Sequence, residues 1–376
     1  MLHRLPLAVI TQMKKKHQHF IPKTYLKKFA RTRDKGIFLL DAYDKINNEI
    51  KTDLSVRDVC VETDLYTLKY LKGKEKYKIE NFFSDNIETH YPKVYNLLVK
   101  EKKEYITGKE RAFILNTTLS MYFRTPKVLN KFVSFASKLI EQFQSSNEVE
   151  KINFLGFDIS IKDKSFNQIK KEIKENQRID FIKIQVALLT QFVKFKFFDG
   201  FAVIELVGDN EFITSDNPVI IRNSFSLKFN LFDTKNSIYI PLDSKHALFI
   251  APKQSGTIIN QVFYQKDDFV QHIALNQGVY DNAERWVLGS EKGILNFLND
   301  LEEYAKPGND NHPLISKFKN KIDIMNQLLE LAEKGISNEN IELIDLITKL
   351  KAENIFDENV ELNQVYEDLK STGLKI

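Results

Sequence analysis

Val186-Ala-Leu-Leu-Thr-Gln-Phe-Val-Lys-Phe-Lys-Phe-Phe-Asp-Gly200-Phe-Ala-Val-Ile-Glu-Leu-Val207 is where the chain changes its period. Up to Phe198 the residues close a helix expected over about 179–198, and Asp199-Gly200 stops it. From Phe201 the pattern becomes short strands: 201–207, a Gly208-Asp-Asn210 turn, then 212–214, 219–221, 237–241 and 247–251. Upstream, Phe83, Ile87, Tyr91, Val94 and Leu98 recur at helical spacing over about 76–99. Gly108 precedes a second, more apolar helix that runs to Arg124. Thr125-Pro126 then puts proline in the first turn of a third, expected to reach Gln144. Residues 36–71 read as short strands, 37–43 and 65–68, around a Lys45–Asn48 turn. Helices near 265–277 and 282–298 close the core. The implied class is α+β: a helical N-terminal half packed on a mostly antiparallel sheet, with a C-terminal helical tail.

The core is expected over 13–305. Within it, the lysine-rich stretch 150–175 reads as an insert holding a weak hairpin at 154–161. Beyond Pro307-Gly308 the composition shifts to charged helical segments, so 306–376 is expected to be a helical extension that contacts a protein partner. Met13, followed by three lysines, reads as the translation start, and residues 1–12 are expected to be disordered or an artefact of annotation.

Of the 376 residues, 55 are basic and 51 acidic, a formal charge of +4 that permits a polyanion partner without demanding one. Cys60 is the sole cysteine, which excludes intramolecular disulfides, cysteine zinc sites and Cys-x-x-Cys chemistry and favours a reducing cytoplasm. No apolar run approaches the roughly 20 residues of a membrane span, so no membrane partner is expected. No phosphate-binding glycine loop, nucleophile elbow, His-Glu-x-x-His helix or dinucleotide fingerprint is present. NAD, haem and structural zinc are therefore not expected.

Three compact polar signatures stand out: His19-Phe-Ile-Pro22-Lys-Thr-Tyr25, Arg124-Thr125-Pro126 and Thr214-Ser215-Asp216-Asn217-Pro218. His19 and Lys23 sit at a helix entrance where backbone N–H groups favour an anion. The imidazole there serves as acid or base, ligates a metal, or caps the helix. Glu80 falls on the apolar face of its helix, where a carboxylate needs a cation, a metal or a donor, unless it is solvated at a frayed end. Glu88 lies two turns later on the flank of that face. Asn116, Thr117, Ser120 and Arg124 form one polar stripe on an otherwise apolar helix, either a cleft wall or small polar groups bonding back to helical carbonyls. Asp216 stands among Thr214, Ser215 and Asn217. That is ordinary turn chemistry, or a carboxylate held to bind a cation, activate water or pair with Arg124.

At these residues the chain resembles a bacterial family catalogued as domain of unknown function 4238. The pattern comprises His19-Phe-Ile-Pro22 with Tyr25-Leu26 and Phe29, Ile79-Glu80 and Ile87-Glu88, Arg124-Thr-Pro126, Phe212-Ile-Thr-Ser-Asp216-Asn-Pro218, and Leu275-Asn276 with Ala283 and Arg285, over about residues 15–290. The resemblance implies that His19, Glu80, Glu88, Arg124 and Asp216 share one active site. Lys23, Tyr25, Asn116, Ser120, Asn217 and Arg285 are expected around it as substrate-binding residues. The leading expectation is a hydrolase of phosphodiesters, a metal-dependent nuclease, with a role in bacterial defence against phage. Asp216, Glu80 and Glu88 would hold Mg²⁺ or Mn²⁺, His19 would move the proton and Arg124 would stabilise phosphoryl charge. The alternative is a non-catalytic module that binds the phosphate of a nucleotide or nucleic acid. A third reading makes Glu80, Arg124 and Asp216 a buried ion network that holds the fold.

Overall fold

The computed structural model describes residues 17–33, 36–68, 72–131, 134, 151–154, 157–160, 164–165, 167–168, 178–223, 230–254, 257–267 and 270–305. The leader 1–12, the extension 306–376 and most of the 150–175 insert lie outside them.

Strands enter early. β1 (His17–His19) pairs with β5 (Val61–Thr63), and between them β2 (Arg31–Arg33), β3 (Ile37–Asp44) and β4 (Glu49–Ser55) form a meander. The β3–β4 turn falls on the expected Lys45–Asn48, with Asn48 in the left-handed region at φ 54° and Asp44 accepting the backbone N–H groups of Ile46 and Asn47. The insert contributes the hairpin of β6 (Lys151–Phe154) and β7 (Phe157–Ser160). After the helix Arg178–Phe195 come β8 (Gly200–Leu206), β9 (Thr214–Ser215), β10 (Ile220–Asn223), β11 (Asn236–Pro241), β12 (His246–Ala251), β13 (Val262–Asp267) and β14 (Trp286–Gly289).

Two five-stranded sheets result. One runs β10-β11-β12-β8-β13, antiparallel except where β13 lies parallel to β8. The other joins the early strands to the late ones in the order β2-β3-β14-β9, with β4 also on β3. Helices and strands are thus interleaved along the chain, which corrects the expectation of a helical N-terminal half. Two strands were not anticipated. β14 lies between β3 and β9, so its run Trp286-Val-Leu-Gly289 does not alternate, and a short apolar run next to an amphipathic helix reads as that helix. β13, the edge strand, runs to Asp267 and takes up the first residues of the helix expected over 265–277, which begins at Val270 and ends at Asn282.

The expected helix 76–99 is broken. Ile87 leaves helical geometry at φ −129°, ψ −58°, and Pro92 enters the first turn of the next helix, so Lys78–Asn86 and Tyr91–Tyr95 are separate segments joined by the turn Glu88–His90. Residues 65–68 form a turn rather than a strand. Helix Gly108–Phe123 matches its expected bounds and opens with a Thr107–Glu110 capping box. Among the described residues no helix is long and apolar enough to cross a membrane.

Helix Gly108–Phe123 is buried on most sides, and its Arg111, fully buried, spends its guanidinium on main-chain oxygens. Nε donates to Ile259 O at 2.9 Å, and Nη1 and Nη2 both donate to Asp199 O at 2.8 Å. Burial pulls this group down to about 10, still charged at neutral pH. Arg111→Leu leaves two interior carbonyls without donors and is expected to lower stability by about 3 kcal/mol in urea denaturation. A loss under about 1 kcal/mol would mean that water already serves those oxygens.

Candidate functional site

Strand alternation in β1 turns Gln18 inward and leaves His19 at the edge of the interior. Gln18 Nε2 donates to Thr67 Oγ1 at 3.0 Å and to Glu80 Oε2 at 2.9 Å, and its Oε1 accepts the Tyr66 backbone N–H at 2.5 Å. Glu80 therefore finds its donor in an amide. After Pro22 the helix is one turn only, Lys23–Leu26. Its Tyr25 and Leu26 N–H groups already bond Pro22 O at 3.0 Å, so the expected anion site at a helix entrance is not built there. Lys23 is exposed, whereas Tyr25 is wholly buried. The Tyr25 hydroxyl lies 2.5 Å from Thr214 Oγ1, which ties the first signature to the third.

Arg124 ends helix Gly108–Phe123. Its guanidinium is buried, and Nη2 donates to Glu88 Oε1 at 2.7 Å and to His19 O at 2.8 Å. The Phe83 ring lies 4.5 Å from it, and Tyr66 donates its hydroxyl to Arg124 O at 3.1 Å. Burial would lower the Arg124 pKa, but Tyr66 and Glu88 bring it above its ordinary value, so the group stays charged. Nε and Nη1 are equally buried and have no hydrogen-bond acceptor among the described residues. Glu88 is one-fifth exposed, at 20%, and leads from the guanidinium toward solvent.

His19 Nε2 stands 3.1 Å from Val56 O. A carbonyl only accepts, so Nε2 carries the proton and Nδ1 keeps its lone pair. Burial, above all, lowers this imidazole to about 4, so it is neutral at physiological pH.

The third signature has a different use. Asp216 Oδ1 accepts Glu284 N–H at 2.9 Å, and Oδ2 accepts the N–H groups of Arg285 and Trp286 at 2.8 and 3.0 Å. Both oxygens are taken up in launching β14. Asp216 is accordingly not paired with Arg124, whose carboxylate partner is Glu88. Lys127 Nζ reaches Asn282 O at 2.6 Å, and Asn282 Nδ2 donates to Asn217 O at 2.7 Å, which joins the second signature to the third from its other side. Arg285 lies apart: its Nη2 pairs with Asp44 at 2.9 Å, and that contact with two backbone N–H groups holds Asp44 at about 2. The polar stripe bonds back to its own helix, Asn116 to Ala112 O and Ser120 to Thr117 O, both at 2.8 Å. Asn116 also borders a groove between this helix and Arg178–Phe195.

The structure thus brings His19, Glu88 and Arg124 together, with Glu80 attached through Gln18. It keeps Asp216 and Asn217 as a neighbouring cluster, to which Arg285 contributes its backbone N–H while its side chain turns away to Asp44. Among the described residues no three His, Cys, Asp or Glu side chains are grouped to hold a metal ion. Sequence reasoning missed Gln18, Tyr66, Lys127 and Asn282. Only Gln18 carried a signal, as a polar residue alternating into an apolar neighbourhood.

A family model described as "Protein of unknown function (DUF4238)" matches residues 17–293, a span that holds both clusters. No curated protein and no solved structure matches.

Asp216→Ala strands three backbone N–H groups and is expected to cost about 3 kcal/mol, read as a lowered thermal midpoint. An unchanged midpoint would remove Asp216 as the anchor of β14. For His19, the folded chain takes up the proton less readily than the unfolded chain. Stability is therefore full above about pH 6.5 and falls by up to about 1.4 kcal/mol per unit toward pH 4. His19→Asn is expected to flatten that part of the curve, and parallel wild-type and variant curves would contradict the buried neutral imidazole.

Proposed function

We propose that this chain, which belongs to the DUF4238 family, is a phosphodiester hydrolase of the nuclease type working at the His19–Glu88–Arg124 cluster. The observation that carries this reading is the pair of buried Arg124 N–H groups without an acceptor. A desolvated donor left unpaired costs about 1–3 kcal/mol, and a phosphate oxygen is an acceptor suited to either of these charged N–H donors. Glu88 orients the guanidinium, and exposed Lys23 adds positive charge beside His19. His19 Nδ1 has the lone pair needed to take a proton from an attacking water. Glu80 and Glu88, each with one oxygen already bonded to Gln18 or Arg124, would be the carboxylates to hold a divalent cation together with substrate oxygens, since Asp216 is consumed in holding the loop 284–286. Asp216 then acts as a positioning residue.

One observation favours a second reading, a phosphate-binding module without turnover: both carboxylate oxygens of Asp216 are engaged by backbone donors. A single assay separates the two. Purified protein is incubated with single- and double-stranded DNA and RNA, with Mg²⁺, Mn²⁺ or chelator. The hydrolase reading expects cleavage that His19→Asn lowers by roughly 10²–10⁴-fold. The wild-type rate should hold between pH 8 and 5 and fall toward pH 4, because the imidazole is protonated only there. Binding without cleavage, indifferent to chelator, would instead establish the module, and full cleavage by His19→Asn would remove His19 from the reaction.

A further inference from the structure

On the far side of the sheet β10-β11-β12-β8-β13, helix Val270–Asn282 leaves part of the surface open, and a cavity of about 300 Å³ lies there. Register places Ile220 opposite Tyr239, and Tyr239 opposite Phe249. The rings of Tyr239 and Phe249 are stacked, with centroids 4.5 Å apart and planes at 23°. Ser237 and Gln265 add hydrogen-bonding groups at the wall, and among the described lining residues Arg222 alone is charged.

Arg222 is exposed, and among the described residues no carboxylate pairs with it. Its guanidinium stands over Gly278 in the interior of helix Val270–Asn282, where a Cβ would come within 2.8 Å of Nη2. Glycine within a helix costs about 0.5–1 kcal/mol relative to alanine. Here the missing Cβ leaves room for the Arg222 guanidinium. Burial pushes the Tyr239 phenol up, and the nearby positive charge of Arg222 acts in the opposite sense.

A stacked aromatic pair beside a guanidinium that no carboxylate neutralises among the described residues selects a flat ring bearing an anionic group. We propose that this cavity binds a mononucleotide-sized aromatic anion, its ring against Tyr239 and Phe249 and its phosphate on Arg222. The volume is at the small end for ligand pockets, which suits a nucleoside monophosphate and not a polymer. The site is separate from the His19–Glu88–Arg124 cluster and stands or falls without it.

The test is isothermal titration of the full chain with AMP, GMP, UMP, adenosine and inorganic phosphate. At least one monophosphate is expected to bind, with adenosine and phosphate alone each at least roughly ten-fold weaker. Arg222→Ala and Tyr239→Leu should each weaken the monophosphate roughly ten-fold or more, while Glu88→Gln leaves it unchanged. Gly278→Ala supplies the control against a purely structural role: the melting temperature should hold or rise, as helix propensity dictates, while affinity falls. Absence of monophosphate binding would overturn the proposal. So would binding unaffected by Arg222→Ala, and binding abolished by Glu88→Gln alone would assign the ligand to the other cluster.

Discussion

One guanidinium inside the protein sets the arrangement of everything near it. Arg124 closes a buried helix, and its Nη2 is shared between the carbonyl of His19 and the carboxylate of Glu88. Three chain segments that are remote in sequence are thereby held at one point. A charge in that position is tolerable only when opposite charge and aromatic faces replace its water. Glu88, Phe83 and Tyr66 do so on one part of the group, and the part left over makes the cluster a candidate for recognising an anion.

The same solution recurs across the fold. Loops that join interleaved sheets carry backbone groups with no ladder partner, and charged side chains reach in to satisfy them. Arg111 serves Asp199 O and Ile259 O, Lys196 serves Asn236 O, and Lys45 serves Tyr280 O and Ala283 O. In the opposite sense, Asp216 collects the N–H groups of residues 284–286, and Asp41 those of Asp53 and Glu291. Conspicuous polar residues in this chain thus include many that hold backbone. Arg222 differs, because it lines a cavity and no carboxylate pairs with it among the described residues.

Of five polar residues expected at one place, the structure brings three into contact. His19, Glu88 and Arg124 do meet, and Glu80 does find a donor on an apolar face. Their partners were not legible. Glu80 bonds Gln18, an amide that no charge pattern singles out, and Asp216 faces backbone N–H groups 68 to 70 positions away. The break at Ile87 also altered the geometry, since two glutamates expected on one helix flank now approach Gln18 and Arg124 from separate segments.

By itself the sequence determined what depends on neighbours along the chain. Helices Gly108–Phe123 and Arg178–Phe195, the β3–β4 turn and the strands from Gly200 to Ala251 follow from side-chain period, capping and turn sterics, which act within a few residues. Only tertiary structure decided that β14 slides between β3 and β9, that Asp216 becomes a loop anchor, and that Arg124 takes Glu88. Those outcomes are fixed by which buried polar groups come within hydrogen-bonding distance once the core has closed, and burial is a property of the whole chain.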